Sequence, residues 1–364
     1  MNVSKEHMGN KLLKFSFPHL MLILIFILAF SVEKANAERF FQTNSIWYEP
    51  IPANPELDPN SANYVADILI NSSTLTGATT DGEWGVTVWK ATASTPITTV
   101  SMKNPSGVCG SWVIANEWNK VPIPSDAIPA GNAASLEGQY RDGHMVIISH
   151  DNTYEWDFFR AVKLLDGSWT ASCIRKRDLR GDGVLPVDDG HGMVRACGHS
   201  SHLHGIVTHN DIQSGVIDHA LSFSYYGEED ELYWARYPCY GQRQGESTRQ
   251  WAMDIGTRLQ LDPSVDCNAL SLNNFGRIIC KAMQQYGMFY VDTGGPSNNG
   301  IYAEELIGKT ISWKDIEGSL RAIPLNKLRV VKSVSPPPSP SPPPPSPPPP
   351  PPSAPTPGAP TLSP

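Results

Sequence analysis

The sequence lacks most of the patterns that announce a chemistry. It has no block of Lys and Arg, no G-x-x-x-x-G-K-[ST] loop and no G-x-G-x-x-G after a strand pattern, which excludes the usual phosphate-cradling loops. No G-x-S-x-G elbow surrounds a serine, and the six cysteines include no C-x-x-C pair. A serine nucleophile of the α/β-hydrolase kind and a dithiol redox motif are therefore not expected. Charge is scarce, at 18% of residues, and acids outnumber bases 36 to 28. The first 37 residues carry four Lys against two Glu, so the remainder holds 34 acids and 24 bases. A body that acidic is repelled by phosphate backbones and anionic lipid. Nucleic acid is excluded as a partner.

Long apolar runs are missing after residue 37. The run Phe17 to Val32 follows Lys5, Lys11 and Lys14 and precedes Ala35-Asn36-Ala37. A positive start, a short apolar core and small residues at the cleavage positions make a signal peptide, residues 1–37, cut before Glu38. A retained signal anchor is the alternative, and the core is short for it. No later segment approaches the ~18–20 apolar residues of a spanning helix, so no membrane partner is expected once the signal is removed. Cys109, Cys173, Cys197, Cys239, Cys267 and Cys280 all lie in the remainder. In an exported chain an even set reads as disulfides, with the pairing left open. Asn71-Ser72-Ser73 is a glycosylation acceptor if the host is a eukaryote.

What is present is unevenly placed. Eighteen of the 33 prolines lie between Pro336 and Pro364. Proline fixes φ and donates no backbone hydrogen bond, so residues 336–364 read as an extended polyproline II tail of about 90 Å. This Ser-Pro segment resembles the modules of plant and algal wall glycoproteins, which implies a wall or matrix setting; a plain solubilising tail is the alternative. Residues 38–335 remain for one large folded body. Its runs Trp84–Trp89, Ile97–Ser101, His144–Ile148, Tyr154–Phe158, Leu221–Tyr226, Arg258–Leu261 and Met288–Val291 are β-branched or aromatic and bounded by turn residues. Helical spacing occurs at Ser61–Asn71 and at Asn274–Tyr286, the second ended by Gly287. The expected class is mainly β, a β-sandwich or jelly roll with a few short helices.

Three groupings carry candidate chemistry. In Tyr154-Glu-Trp-Asp157, strand alternation puts Glu155 and Asp157 on one face and Trp156 on the other. Two such carboxylates suit glycosidic cleavage, one donating a proton to the leaving oxygen while the other stabilises or attacks the anomeric carbon. A solvated strand face, or a calcium site with Asp178, Asp182, Asp188 and Asp189, uses the same residues. In the second grouping, Asp211 precedes a Gly215 break and His219; Asp211 would orient that imidazole for acid–base work, against the alternative of a packed core histidine. In the third, six histidines (His191, His199, His202, His204, His209 and His219) crowd a short stretch. A strand at His202-Leu-His204 would aim two imidazoles at one metal ion; an exposed His-rich loop is the other reading.

Ten tryptophans add flat apolar faces of the kind that sugar rings stack on, though a tryptophan-rich core explains the same count. Trp156, Tyr225 and Arg236 are the expected substrate-binding residues. Tyr225, Tyr226 and Arg236 would serve if the reaction were β-elimination.

The motifs Asn44-Ser-Ile-Trp47, Leu57-Asp-Pro-Asn-Ser-Ala62, Asp142-Gly-His-Met-Val146, Tyr154-Glu-Trp-Asp157, Gly215-Val-Ile-Asp-His-Ala-Leu221, Gly256-Thr-Arg-Leu-Gln-Leu-Asp-Pro263 and Ala282-Met-Gln-Gln-Tyr-Gly287 stand in this order. Together they resemble a group of exported bacterial proteins of actinobacterial type. The resemblance implies a single domain over roughly Phe41 to Glu305 and brings no mechanism with it. His199, His202, His204 and the proline tail lie outside its pattern. The function expected is a secreted, extracellular or wall-located enzyme cleaving a wall or matrix polysaccharide, as a glycoside hydrolase or lyase. The alternative is a non-catalytic carbohydrate-binding wall glycoprotein. No cofactor is expected beyond the metal ion that His202 and His204 would hold.

Overall fold

The β-branched and aromatic runs fold here as strands of two to six residues. The computed structural model describes residues 39–77, 84–131, 142–184, 194–195, 197, 200–226, 239, 249–294, 299–305 and 318–332. The expected signal peptide, the proline tail, Arg236, His191, His199, Asp188 and Asp189 lie outside these residues. All described residues belong to one unit, Met1–Ser333.

In chain order the strands are β1 (Thr76–Gly77), β2 (Thr87–Lys90), β3 (Ile97–Thr99), β4 (Ser101–Met102), β5 (Lys120–Pro122), β6 (Met145–Ile148), β7 (Tyr154–Phe159) and β8 (Val162–Lys163). They continue as β9 (Trp169–Ala171), β10 (Cys173–Asp178), β11 (Leu221–Tyr225), β12 (Arg258–Leu261), β13 (Met288–Thr293), β14 (Asn299–Ile301) and β15 (Leu328–Val331). The helices are α1 (Ser61–Asn71), α2 (Val108–Ala115), α3 (His209–Ser214) and α4 (Asn274–Gln285). The protein is thus mainly β with few short helices. Its strands form a six-stranded sheet β1-β14-β11-β13-β12-β15, a four-stranded sheet β10-β7-β6-β2, and two small ones, β3-β5 and β4-β9-β8.

The sheets are mixed: β1 with β14, β11 with β13, β2 with β6 and β4 with β9 run parallel. A jelly roll has two antiparallel sheets, and the described pairings do not reproduce it.

Two apolar cores separate along the four-stranded sheet. Met145, Ile147, Trp156, Phe158 and Ile174 point into the smaller core with Val113, Val121 and Trp169. Val146 and Ile148 point the other way, into the larger core shared with Leu221, Phe223, Leu259, Met288 and Tyr290 of the six-stranded sheet. Period-two alternation on β6 and β7 produces this division. The strand expected over Trp84–Trp89 begins only at Thr87, and the one over Ile97–Ser101 splits between β3 and β4.

Three disulfides, Cys109–Cys173, Cys197–Cys239 and Cys267–Cys280, pair all six cysteines. Cys109–Cys173 ties α2 to β10, and Cys267–Cys280 anchors α4 to the loop before it. Such bridges persist in oxidising compartments and fit an exported protein. No helix among the described residues is long and apolar enough to cross a membrane.

Helix α4 shows how local signals set its ends. The Asn273 side chain accepts from the Gly276 N–H at 2.8 Å, capping the first turn. Ile279, Cys280, Ala282 and Met283 form its buried face. Gly287 follows with φ of 73°, and a Cβ there would lie 2.2 Å from the Leu259 carbonyl oxygen. Strand β12 therefore packs against a position that only glycine fills. Gly287→Ala is expected to lower stability by more than about 1 kcal/mol, read as a lower urea midpoint with an unchanged slope.

Candidate functional site

Strand β7 lies between β6 and β10 and carries Glu155 and Asp157 on the side of the larger core. Across β10, Arg177 stands in register with Glu155 and Arg175 with Asp157. Arg177 Nη1 donates to Asp157 Oδ2 at 3.0 Å and reaches Glu155 Oε1 at 3.4 Å. The turn that follows Ser200 closes over the pair. Ser201 Oγ donates to Glu155 Oε2 at 2.7 Å, and His202 bonds Asp157 twice, from its backbone N–H at 3.1 Å and its Nδ1 at 2.6 Å. Arg195 holds this turn by donating to the Ser201 carbonyl at 2.6 Å. Glu155 and Asp157 have no exposed surface at all. The solvated strand face is corrected: these carboxylates are interior, because Arg177, Ser201 and His202 supply the hydrogen bonds that water would otherwise make.

Environment separates the two carboxyls. Burial pushes Glu155 up to about 7, with the Asp157 charge adding to it and Arg177 opposing. Burial also works against the Asp157 charge, but the attraction and hydrogen bonds of His202 and Arg177 outweigh it and hold that carboxyl well below its ordinary range. Burial thus favours the protonated form at Glu155, while His202 and Arg177 favour the carboxylate at Asp157.

An open cleft of about 380 Å³ lies on the same face of the same sheet. Its floor includes Val88, Ile148 and Leu179, and its walls include Arg39, Lys90, Asn152, His209, Asn210 and Glu304. Ile148 stands directly opposite Glu155 in register, so the cleft and the carboxylate occupy neighbouring positions across β6 and β7. Arg39 is fixed by a 2.7 Å ion pair with Asp218 and lies over the Tyr48 ring.

Comparison of the chain with protein-family models, with curated proteins and with solved structures finds no match. The site is therefore read from its own geometry.

The expected pair Asp211 and His219 is brought together, in a place of its own. Thr208 caps α3, with Asp211 accepting from the Thr208 N–H and Oγ at 2.8 Å each, and Thr208 Oγ accepting from the Asp211 N–H. Gly215 ends the helix at φ of 74°. His219 Nε2 then lies 3.3 Å from Asp211 Oδ2, and Nδ1 2.9 Å from the Ala220 carbonyl. Both ring nitrogens face acceptors, an arrangement that favours the imidazolium. Burial opposes that charge, yet Asp211 and the Ala220 carbonyl raise the His219 pKa overall.

His202 and His204 turn to different partners. The segment is a turn, not a strand, because Ser200 and Ser201 side chains bond back into it and Gly205 takes φ of 67°. His204 Nδ1 meets Ser200 Oγ at 2.6 Å and its ring stacks on Trp47, while His202 turns to Asp157. Among the described residues no group of three or more His, Cys, Asp or Glu is arranged to hold a metal ion.

Of the substrate-binding candidates, Tyr225 is fully buried and accepts from the Met253 N–H at 2.8 Å, stacked among Phe223 and Tyr290. Trp156 packs in the smaller core, across the sheet from Glu155. Trp47 and Trp169 are also buried, whereas Trp84 is 43% exposed. Arg177 and Arg195 were not singled out from sequence. A Lys/Arg alternation on β10 reads as a solvated edge until its partner strand is known.

The His219 pair gives a pH signature. A histidine whose folded pKa is raised contributes stability that is complete below its unfolded value near 6.5 and is lost as pH rises through the folded value. His219→Gln is expected to cost about 3–5 kcal/mol at pH 6. It should also flatten the decline in urea-unfolding stability expected of the unaltered protein as pH rises through the raised folded pKa of His219.

Proposed function

We propose that this chain is an exported carbohydrate-active enzyme that cleaves a wall or matrix polysaccharide. Glu155 delivers a proton to the leaving oxygen, and Asp157 is its ionised partner. The observation that carries the reading is two carboxyls two residues apart on one strand face in unlike settings: Asp157 is held by His202 and Arg177, Glu155 by Ser201 with Arg177 at 3.4 Å, which favours charge on the first and a proton on the second. Glycosidic cleavage requires this pairing of a proton-bearing acid with a carboxylate. The neighbouring cleft offers sugar hydroxyls the side chains of Arg39, Lys90, Asn152 and Asn210 over an apolar floor. On this reading the two larger sheets, which share one core, act as a sandwich whose cleft beside that shared face receives the polymer. The signal-like N-terminus, the disulfides and the Ser-Pro segment support a place outside the cell, at the wall.

A second reading, a non-catalytic wall glycoprotein that binds sugar in the cleft, has its own support. Each oxygen of Glu155 and Asp157 already has a protein hydrogen-bond partner. A structural ion-pair network looks the same.

The secreted full-length protein, incubated with neutral and uronic-acid polysaccharides, separates the two. New reducing ends without ultraviolet absorbance mean hydrolysis, and both together mean β-elimination. On the polymer cleaved, Glu155→Gln is expected to lower kcat about 10²–10⁴-fold. The rate of the unaltered enzyme should fall as pH rises through about 7, where Glu155 loses its proton. Silence across the panel with retention on one polymer in a pull-down means the binding protein.

A further inference from the structure

The open cleft over Val88, Ile148 and Leu179 is rich in hydrogen-bond donors and poor in acceptors. Lys90 ends β2 at this cleft, exposed and in register with Ile148. Its ammonium has no hydrogen bond or ion pair among the described residues. Arg39 gives Nε and Nη2 to Asp218 Oδ2, at 3.0 and 2.7 Å, and its Nη1 has no acceptor among the described residues. Asn152 stands exposed in the wall at a φ of 56°, its side-chain amide likewise uncommitted among the described residues. Against these donors stands one acid of the described lining, Glu304, and its Oε2 already accepts from the His209 N–H at 2.8 Å. A neutral sugar hydroxyl both donates and accepts, so an excess of donors is half wasted on it. A carboxylate only accepts, and its hydrogen bonds to cations are roughly twice as strong as neutral ones. The body as a whole is acidic, with 34 acids to 24 bases after residue 37. Exposed charges more than about 8 Å away are largely screened at physiological salt, so the groups inside the cleft decide.

We propose that this cleft takes a uronic-acid polysaccharide, with Lys90 and Arg39 Nη1 holding a uronate carboxylate. Asn152 meets a neighbouring hydroxyl, and the apolar floor takes the C–H face of the sugar ring. The proposal rests on the reading that a sugar lies in this cleft, and it names the class of that sugar. It applies equally whether the polymer is cleaved or only bound. Lys90 is the group that sets the preference, because Asp218 offsets the Arg39 charge and fixes its side chain.

The test is calorimetric titration of the full-length secreted protein at pH 7. The probes are oligomers of galacturonate, glucuronate and mannuronate, each beside its methyl ester, and neutral oligomers of glucose, galactose, mannose and xylose. Esterification removes the charge and keeps the ring. At least one acid oligomer is expected to bind about tenfold or more tightly than its ester, and added salt should weaken the acid form more steeply. Lys90→Gln should weaken that acid form about tenfold and leave the ester within threefold, while Lys90→Arg keeps the preference. Lys281→Gln, exposed on α4 and outside the cleft, should change neither. Equal binding of acid and ester, a neutral oligomer bound more tightly than every acid, or Lys90→Gln within threefold of the parent overturns the uronate assignment and leaves the carbohydrate reading standing. If no oligomer of either kind binds, the carbohydrate reading itself falls, and the uronate assignment with it.

Discussion

Two carboxylates cannot be buried side by side on one strand without cations and donors to hold them, and the described body is organised around meeting that demand. Arg177 comes from the partner strand β10, and Ser201 and His202 come from a distant turn. Removing one member of such a set leaves an uncompensated interior charge, at about 3–5 kcal/mol. The same turn reaches the other sheet. Arg195 and the His204 carbonyl both meet Ser222 Oγ, and the Gly205 carbonyl accepts from the Ser222 N–H on β11. The charge cluster on the four-stranded sheet is thereby bonded to the first residues of the central strand of the six-stranded sheet.

Glycine makes that junction possible. A Cβ at Gly205 would lie 2.5 Å from the Ser222 nitrogen, and the residue takes a positive φ. The turn can lie close on β11 only without a side chain there. Trp47 closes the other side, stacked on His204 with rings 5.0 Å apart and its backbone carbonyl accepting from Ala220. The apolar core and the polar cluster are thus two faces of one packing arrangement.

Much of this was legible in the sequence where periodicity speaks. Helix α1 spans the expected Ser61–Asn71, and α4 ends where Gly287 requires. The alternation in Tyr154-Glu-Trp-Asp157 gave the face of each side chain, and it holds in β7. What failed depended on partners far along the chain. His202-Leu-His204 has strand-like alternation, but Ser200, Ser201 and Gly205 bend it through contacts that only the folded state supplies. The burial of Glu155 and Asp157 was invisible for the same reason: Arg177 is 20 residues from Asp157 and His202 is 45. Parallel pairing of β11 with β13 likewise joins segments that no local pattern connects.

The two histidine–aspartate pairs show why residue types alone do not assign a role. Asp211 and Asp157 each accept from an imidazole and from backbone N–H groups. The difference lies at the second ring nitrogen. Against His219 it is a carbonyl oxygen, which favours a proton on Nδ1 and, with Asp211 at Nε2, the cation that ties α3 to the start of β11. Against His202 no partner stands among the described residues, and the His144 ring lies 4.1 Å away, centroid to centroid. A cation with both protons committed can stabilise a fold but has none to exchange. The His202 ring serves the fold through Nδ1, which together with Arg177 satisfies the interior Asp157 carboxylate on β7.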